Sequence, residues 1–431
     1  MPKPARAKPA PGVRAALLPP ACSLNGILIW NTSSSEPGCL RLPKPLARIA
    51  LPSSPLGSAQ IVTRFLDISS YALPANLVSA DTRSIAVADV DGDGDLDVLL
   101  GNANSSCRVL LNAGDGTFPT SIELPYVAGD ITHSIAAADM DGDGDLDVLL
   151  GNFGRPSRML LNAGGGTVDG TTFTLPTSFV LPGGNAQTNS IMAADVDGDG
   201  DLDVLLGNSN SAALSSEVVL TTSQVVLNVG GGCQAAACFP RNVALPGPLA
   251  DTNSIAAADV DGDGDLDVLL GNSGSTRSPC RVLLNVGNGT FPTSIDLPGG
   301  IGDTNSIAAA DVDGDGDLDL LLGNSGTPSR VLLNAGDGSF TTSITLPGGA
   351  VDTRSIAAAD VDGDGDLDLL LGNSGSPSRV LLNEGDGSFP TSITLPGGAV
   401  DTKSIAAADV DGDGDLDVLL GNYNSPSRVL L

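Results

Sequence analysis

Short apolar runs separated by Gly, Asn, Asp and Ser recur along most of the chain. In one copy of the pattern they occupy residues 84–88, 98–100, 108–112 and 120–124. The runs are nearly continuous and lack the 3.6-residue spacing of an amphipathic helix, and turn-forming residues bound each of them. Each copy therefore predicts four β-strands with hairpin-length connections.

The pattern is present in seven copies, whose equivalent residues are separated by 50, 56, 64, 52, 49 and 49 positions. Four-stranded repeats of about 50 residues are typical of β-propellers, in which each four-stranded sheet is one blade. Continuous apolar runs also indicate sheets that are buried on both faces. The predicted fold is all-β, a seven-bladed β-propeller with four-stranded blades.

The two ends of the repeat region complement one another. Residues 65–73 and 81–85 match residues 389–395 and 401–405, whereas the last copy contains only three of its four strands. We therefore expect the N-terminal strand to complete the last blade, which would remove an open sheet edge. The propeller is assigned to residues 56–431.

Residues 1–55 form a separate Pro-rich, basic leader with a single acidic residue, Glu36. It lacks a convincing signal-peptide core, so a transit peptide, a propeptide and a wrongly assigned start remain alternatives. No run in the chain approaches the ~18 apolar residues that a membrane-spanning helix needs, so direct membrane insertion is not expected.

A nine-residue motif, Asp-x-Asp-Gly-Asp-Gly-Asp-Leu-Asp, lies between the first and second strand of every copy. These metal loops contain 35 of the 51 acidic residues, and the other 16 acids are balanced by 20 Lys and Arg. The net charge of −31 is therefore concentrated at the loops. An anionic protein of this kind is a poor partner for nucleic acid or an anionic membrane.

Within a metal loop, the carboxylates at the first, third and fifth positions are spaced to converge on a cation, and Gly at the sixth position permits the sharp turn. The seventh residue is expected to supply its backbone carbonyl, with its carboxylate in solvent, and the ninth carboxylate to complete the shell. We predict about seven Ca²⁺ sites. The candidate ligands are Asp89, Asp91, Asp93, Asp95 and Asp97; Asp139, Asp141, Asp143, Asp145 and Asp147; Asp195, Asp197, Asp199, Asp201 and Asp203; Asp259, Asp261, Asp263, Asp265 and Asp267; Asp311, Asp313, Asp315, Asp317 and Asp319; Asp360, Asp362, Asp364, Asp366 and Asp368; and Asp409, Asp411, Asp413, Asp415 and Asp417.

Other interpretations of the motif are weaker. An EF-hand requires a bidentate Glu at position twelve, where the first loop has Leu100, and flanking helices. Mg²⁺ prefers to keep several waters and strict octahedral geometry, whereas a loop with many carboxylates can provide the larger shell of Ca²⁺. A solvated acidic turn that binds nothing is the remaining alternative.

Residues 356–368, followed by Leu371-Gly372-Asn373 and residues 382–389, resemble the FG-GAP/VCBS repeat family, which includes the N-terminal propeller of integrin alpha subunits. The resemblance covers about residues 60–431. The Phe-Gly and Gly-Ala-Pro elements of the integrin form are missing, so integrin-like partners are not implied. The resemblance implies a seven-bladed fold, calcium loops between the first two strands of each blade, and a role in extracellular adhesion or recognition.

The residue just before Ser-Ile differs among the copies while its neighbours do not. The resemblance implies that these positions, called the rim residues, surround the central channel on the face opposite the metal loops. Their variation makes them candidates for binding a protein or glycan ligand; solvated loop residues that vary freely are the alternative. The rim residues are Arg83, His133, Asn189, Asn253, Asn305, Arg354 and Lys403. Insertions at residues 165–180, 209–224 and 231–241 form a second candidate surface, with neutral variation in loop length as the alternative.

Catalytic residues are not expected. His133 is the single histidine, no phosphate-binding glycine loop precedes a helix, and seven near-identical acidic loops argue against a unique active site. A purely structural repeat module, and a calcium-dependent polysaccharide-degrading enzyme, are the alternative functions. Among six cysteines, Cys233 with Cys238 and Cys22 with Cys39 are near enough in sequence to form disulfides, whereas Cys107 and Cys280 occupy equivalent connections too distant to pair. An extracellular or cell-surface location is expected.

Overall fold

The structure is a computed structural model that describes residues 71–73, 81–125, 129–164, 173, 175, 177–209, 222–229, 239–274, 278–299 and 302–431. The predicted leader (1–55), residues 65–70 of the predicted N-terminal strand, most of the three insertions and Cys22, Cys39, Cys233 and Cys238 lie outside these residues. The described part contains 28 β-strands, in agreement with the predicted all-β class.

Strand pairing gives five four-stranded sheets and one eight-stranded sheet, and the eight-stranded sheet is described here as two sets of four. The sets are, in chain order: set one, β2 (Asp81–Ala88), β3 (Asp97–Ala103), β4 (Arg108–Leu111) and β5 (Thr120–Glu123); set two, β6 (Thr132–Ala138), β7 (Asp147–Asn152), β8 (Arg158–Leu161) and β9 (Thr177–Val180); set three, β10 (Gln187–Ala194), β11 (Asp203–Ser209), β12 (Gln224–Leu227) and β13 (Arg241–Ala244); set four, β14 (Thr252–Ala258), β15 (Asp267–Asn272), β16 (Arg281–Leu284) and β17 (Thr293–Asp296); set five, β18 (Asp303–Ala310), β19 (Asp319–Ser325), β20 (Arg330–Leu333) and β21 (Thr342–Thr345); set six, β22 (Asp352–Ala359), β23 (Asp368–Ser374), β24 (Arg379–Leu382) and β25 (Thr391–Thr394); and set seven, β26 (Asp401–Ala408), β27 (Asp417–Tyr423), β28 (Arg428–Leu430) and β1 (Tyr71–Ala72).

Sets one to five are separate four-stranded antiparallel sheets. Sets six and seven form one eight-stranded sheet, but they are joined only through the single pair Ser374–Asp401. The N-terminal strand β1 pairs with β28 in the register Tyr71–Val429 and Ala72–Arg428. The expected completion of the last sheet by the N-terminus is therefore confirmed for the described residues.

The first three strands of a set are mostly buried, whereas the fourth is not. In set one, β3 is buried along its whole length and β4 over its three apolar residues, whereas the ends of β5 are exposed. Because the inner strands are covered on both faces, their apolar runs are continuous, as predicted. The outer strand has one solvated side and carries Thr, Ser and Glu.

The hydrophobic core lies between consecutive sets. Ile135 and Val148 of set two pack in one cluster with Leu99 and Val109 of set one, and equivalent clusters join each later set to the one before it. The last cluster joins set seven to set one. The sheets are therefore stacked face to face in a series whose two ends meet.

A belt of hydrogen bonds joins the first strands. The backbone N–H of the Ile in each first strand donates to the Ser hydroxyl of the preceding set, at 3.1–3.2 Å. The pairs are Ile135–Ser84, Ile191–Ser134, Ile255–Ser190, Ile307–Ser254, Ile356–Ser306, Ile405–Ser355 and Ile85–Ser404. The last pair connects set one to set seven, so the belt returns to its starting point.

Candidate metal centres

Each metal loop is shaped by its own carboxylates. In the first loop, the two oxygens of Asp89 accept hydrogen bonds from the backbone N–H groups of Gly92 (2.8 Å) and Gly94 (3.0 Å). Both glycines have positive φ, 76° and 100°, a conformation that side chains with Cβ disfavour. The pair of bonds from one aspartate recurs in all seven loops, at Asp89, Asp139, Asp195, Asp259, Asp311, Asp360 and Asp409.

The ninth carboxylate lies at the bottom of the loop. Asp97 is fully buried, and its oxygens accept from the backbone N–H groups of Val90 (3.0 Å) and Asn112 (2.9 Å). Burial raises the pKa of Asp97 to about 8, because these two bonds offset only part of the lost hydration. The same cause raises the pKa of the other ninth carboxylates, to about 7 for Asp147, Asp203, Asp267, Asp368 and Asp417 and to about 6 for Asp319.

The carboxylates of a loop approach one another closely enough to share a cation. In the first two loops, single ligand atoms of the first, third and ninth aspartates lie within 4.8 Å of one another; in the third to fifth loops, this holds for the first, third and fifth. Burial, and then repulsion from Asp93, raises the pKa of Asp91 to about 6. The seventh aspartate is not part of these groups. In the first loop the carboxylate of this residue, Asp95, is half-buried against Gly114, and a side chain at position 114 would collide with it.

Two buried oxygens indicate that the loops fit a cation. Oδ1 of Asp141 and Oδ1 of Asp197 have no hydrogen-bond partner, and the Asp141 residue is only 8% exposed. A buried carboxylate oxygen without a donor is costly unless a charge of opposite sign is present. The donors in these loops are backbone N–H groups, which leave several oxygens per loop available, and hard oxygen ligands suit Ca²⁺.

Asn112 connects two neighbouring metal loops, a role that was not predicted. Asn112, at the end of β4, donates through its backbone to Asp97 and through Nδ2 to the carbonyls of Leu96 (2.9 Å) and Val410 (2.7 Å). Val410 belongs to the metal loop of set seven. The available signal was the Leu-Leu-Asn or Val-Leu-Asn that ends every third strand in sets one to six.

The rim residues occupy a β-bulge. In every set the pairing between the first two strands shifts at this position, for example between Thr82 and Ser84, so that Arg83 is the extra residue. A bulge redirects the side chain out of the regular alternation. All seven rim residues are half-buried.

Most rim side chains contact the neighbouring set. Asn189, Asn253 and Asn305 donate through Nδ2 to the carbonyls of Thr252, Thr304 and Thr353, at 2.9–3.1 Å. His133 lies 3.2 Å from Oδ1 of Asn189 and stacks on Phe153, with ring centroids 4.7 Å apart. Burial, together with the nearby Arg83 and Lys403, lowers the pKa of His133 to about 4, so it is neutral at pH 7.

The charged rim residues are clustered in sets six, seven and one. Arg354 pairs with Asp352 (2.6 Å) and Lys403 with Asp401 (2.9 Å). Arg83 and Lys403 both lie over the Tyr423 ring, at 5.0 and 5.4 Å from its centroid. The structure thus brings the rim residues together around the first strands, and their proposed ligand role stays a prediction.

Cys107 and Cys280 are buried free thiols. Each accepts a backbone N–H bond, from Asn102 and Asn272 respectively, where Ser157 accepts the bond from Asn152 in set two. Burial raises the pKa of both thiols. They replace a structural serine, and this placement does not indicate redox chemistry.

The FG-GAP-like repeat model matches residues 89–150, 139–206, 259–322, 311–371 and 360–420. The chain therefore belongs to the FG-GAP-like repeat family. No curated protein matches the chain. No helix with the length and apolar character of a membrane span is present among the described residues.

Two solved structures of BBS1N in complex with ARL6DN are similar to this chain. The one soaked with mercury has a TM-score of 0.53 and 13% identity, and the one soaked with lead has a TM-score of 0.54 and 11% identity. Both comparisons cover 82% of this chain and 92% of the other. At this level of identity the similarity establishes a shared propeller-like fold with four-stranded antiparallel blades.

Proposed function

We propose that the protein is a calcium-stabilised, seven-bladed propeller that binds a protein partner outside the cell. Each set of four strands corresponds to one blade. The count of seven is supported by the Ile–Ser belt, whose last bond, from Ile85 to Ser404, returns from set one to set seven. The apolar cluster shared by these two sets supports the same closure.

The observation that carries the calcium proposal is the pair of buried, unpartnered carboxylate oxygens on Asp141 and Asp197. In the first loop, the carboxylates of Asp89, Asp91, Asp93 and Asp97 and the carbonyl of Asp95 would hold the ion. Bound calcium supplies positive charge that offsets the repulsion among these groups. Extracellular sites with Kd of about 10⁻⁴–10⁻³ M would each gain about 1 kcal/mol at millimolar calcium.

The proposed test is calcium titration of the full chain by calorimetry, together with thermal unfolding in calcium, in magnesium and in chelator. We expect calorimetry to show about seven bound calcium ions per chain. The melting temperature should fall in chelator, and magnesium should restore little of the loss. An unchanged melting temperature and no heat of binding would refute the calcium proposal.

A protein partner is favoured over a glycan because BBS1N, which has a similar fold, is observed in complex with ARL6DN. FG-GAP-type propellers typically act as binding modules, and we propose the same non-enzymatic role here. The rim residues are the proposed contact surface, since they vary among otherwise matching sets.

Affinity capture from extracellular fluid, in calcium and in chelator, tests the partner proposal. The variants Arg83→Ala and Arg354→Ala should lose the captured protein, whereas Ser294→Ala, at an exposed position of β17, should retain it. Equal capture by all of these variants would exclude the rim as the contact surface.

A further inference from the structure

In each of sets one to six, one asparagine connects the metal loop of its own set to the metal loop of the preceding set. In set five, the backbone N–H of Asn334 donates to Oδ1 of Asp319, the ninth carboxylate of its own loop, at 2.9 Å. Its Nδ2 donates to the carbonyl of Leu318 in the same loop (3.0 Å) and to the carbonyl of Val260 in the loop of set four (2.7 Å). Both Nδ2 donations therefore hold loop backbone, one bond on each side of the interface between sets.

The contact in the neighbouring loop is next to another ninth carboxylate. The N–H of Val260 donates to Oδ2 of Asp267 at 3.0 Å. A short path thus runs from Asp319 through Asn334 and Val260 to Asp267. The two ends of this path are the most buried carboxylates of two different candidate metal sites.

The same path is present at six interfaces. The bridging asparagines and the carbonyls they reach in the preceding loop are Asn112–Val410, Asn162–Val90, Asn228–Met140, Asn285–Val196, Asn334–Val260 and Asn383–Val312. In each case the backbone N–H of the asparagine donates to the ninth carboxylate of its own loop, and the N–H next to the reached carbonyl donates to the ninth carboxylate of the preceding loop. The ninth carboxylates therefore form one linked series: Asp417, Asp97, Asp147, Asp203, Asp267, Asp319 and Asp368.

This arrangement provides a physical means of coupling. An ion that fixes Asp319 also fixes the backbone of Asn334, and thereby the direction of Nδ2 toward Val260. Val260 is the second residue of the neighbouring loop, so its position determines how its N–H holds Asp267. The asparagines are buried, 2–7% exposed. Breaking one of their hydrogen bonds is therefore costly, because water cannot readily take the place of the lost partner.

We infer that the six bridging asparagines are positioning residues that couple calcium occupancy of neighbouring loops, so that calcium binds with positive cooperativity along the series. This inference rests on the proposed calcium binding. It adds that the loops respond to one another and that the response passes through the asparagine side chain.

Hydrogen exchange on the full chain at limiting calcium tests the inference in the folded protein. Asp315→Asn, at an exposed position of the set-five loop, weakens one site. Coupling predicts that the calcium needed to protect residues 259–267 and 360–368 rises about fivefold or more, whereas residues 89–97 and 139–147 are unaffected or nearly so. A change confined to residues 311–319 would overturn the inference.

Combining Asn334→Ala with Asp315→Asn tests whether the response of the neighbouring loop passes through the asparagine side chain. The backbone bond to Asp319 survives this change, and only the side-chain bonds are lost. Residues 259–267 should then stop responding to Asp315→Asn, whereas residues 360–368, which Asn383 still joins to set five, should continue to respond. An equal response of both loops would refute the role of the asparagine.

A matched control and a second variant complete the experiment. Asn324→Ala removes a buried asparagine side chain of the same set, in β19, which donates to the carbonyl of Pro328 and accepts from the hydroxyl of Thr304. This variant should leave the response of all loops unchanged. If Asn334→Ala fails to fold, Asn383→Ala provides the same test with residues 360–368 as the loop that loses its response. Failure of the wild type to bind calcium by calorimetry would refute the proposed function itself, whereas binding to independent sites would refute the coupling alone.

Discussion

At the residue scale, the ninth aspartate is the group whose burial most clearly favours a cation in each metal loop. Asp97 and its equivalents are nearly or fully buried. Their backbone donors, two on each of these carboxylates in sets one to six and one on Asp417, are insufficient to keep their pKa in the ordinary range. A buried carboxylate without sufficient compensation takes up a proton. In calcium the same group would be ionised, so the protonation of this residue reports whether the loop is filled.

The raised pKa values predict the pH dependence of the calcium-free protein. A carboxyl whose pKa is higher in the folded state than in the unfolded state stabilises the fold at low pH, and this contribution is lost as pH rises through the folded pKa. For the ninth aspartates the loss spans about pH 4 to 8. We therefore expect the melting temperature of the calcium-free protein to fall from pH 5 to pH 8.

Saturating calcium is the control for this prediction. Because the ion favours the ionised carboxylates, the decline between pH 5 and pH 8 should disappear or reverse. Thermal unfolding of protein dialysed free of calcium, followed by circular dichroism at several pH values, provides the measurement. A calcium-free protein that became more stable over this range would contradict the predicted role of the buried carboxyl groups.

A glycine at the interface between sets seven and one gives a second prediction. A Cβ on Gly421 would lie 3.0 Å from Cγ1 of Ile85, which is fully buried. Gly421→Ala should therefore destabilise the protein by about 1–3 kcal/mol in chemical unfolding, since the core cannot readily accept the added methyl. Gly302→Ala, where the nearest atom is Thr327 Oγ1 at 3.7 Å, should have little effect. Equal stability of the two variants would show that the interface adapts.

At the element scale, the strands were predictable from local patterns. The runs at residues 98–100 and 108–112 became β3 and β4, because continuous Val and Leu between turn residues favour strands buried on both faces. The metal loops were predictable for a similar reason: their glycines and aspartates determine the turn within nine residues. Their positive φ values confirm that expectation.

Features that depend on distant residues were not predictable. The first strand was predicted to begin at Ser84, yet β2 begins at Asp81, and its pairing with β3 places a bulge at Arg83. The role of Asn112 depends on Val410, which is 298 residues away and is brought close only by the packing of set one on set seven. Sequence alone shows that such residues recur, and the recurrence does not reveal what they contact.

The bulge changes how the rim residues are interpreted. Their variation among the sets predicts a binding surface, whereas the hydrogen bonds of Asn189, Asn253 and Asn305 to the next set give these side chains a structural role as well. The cationic members Arg83, Arg354 and Lys403 differ from them, because they lie together in sets six, seven and one. Partner binding is therefore best sought on that side.

At the scale of the whole molecule, charge is separated between the two ends of the sheets. The metal loops connect the first and second strands of each set, and the bridging asparagines show that neighbouring loops lie at the same end. Most of the acidic residues, 35 of 51, are therefore at one end, while the rim residues lie near the opposite end of the first strands. A partner that avoids strongly negative surfaces would approach the rim.

Closure of the ring through the N-terminus gives the last prediction. β1 covers the edge of β28, and Leu73, which is 4% exposed, belongs to the cluster shared by sets seven and one. Deleting residues 1–80 should lower the melting temperature and leave β28 as an unpaired edge, which is a template for pairing with a second molecule. Size-exclusion chromatography with light scattering should then show self-association. Deleting residues 1–55 removes the predicted leader alone and is expected to preserve the elution and the melting temperature of the wild type. If the longer deletion behaved in the same way, pairing of β1 with β28 would contribute nothing to closure, and the apolar cluster and the Ile85–Ser404 bond would be sufficient to hold sets seven and one together.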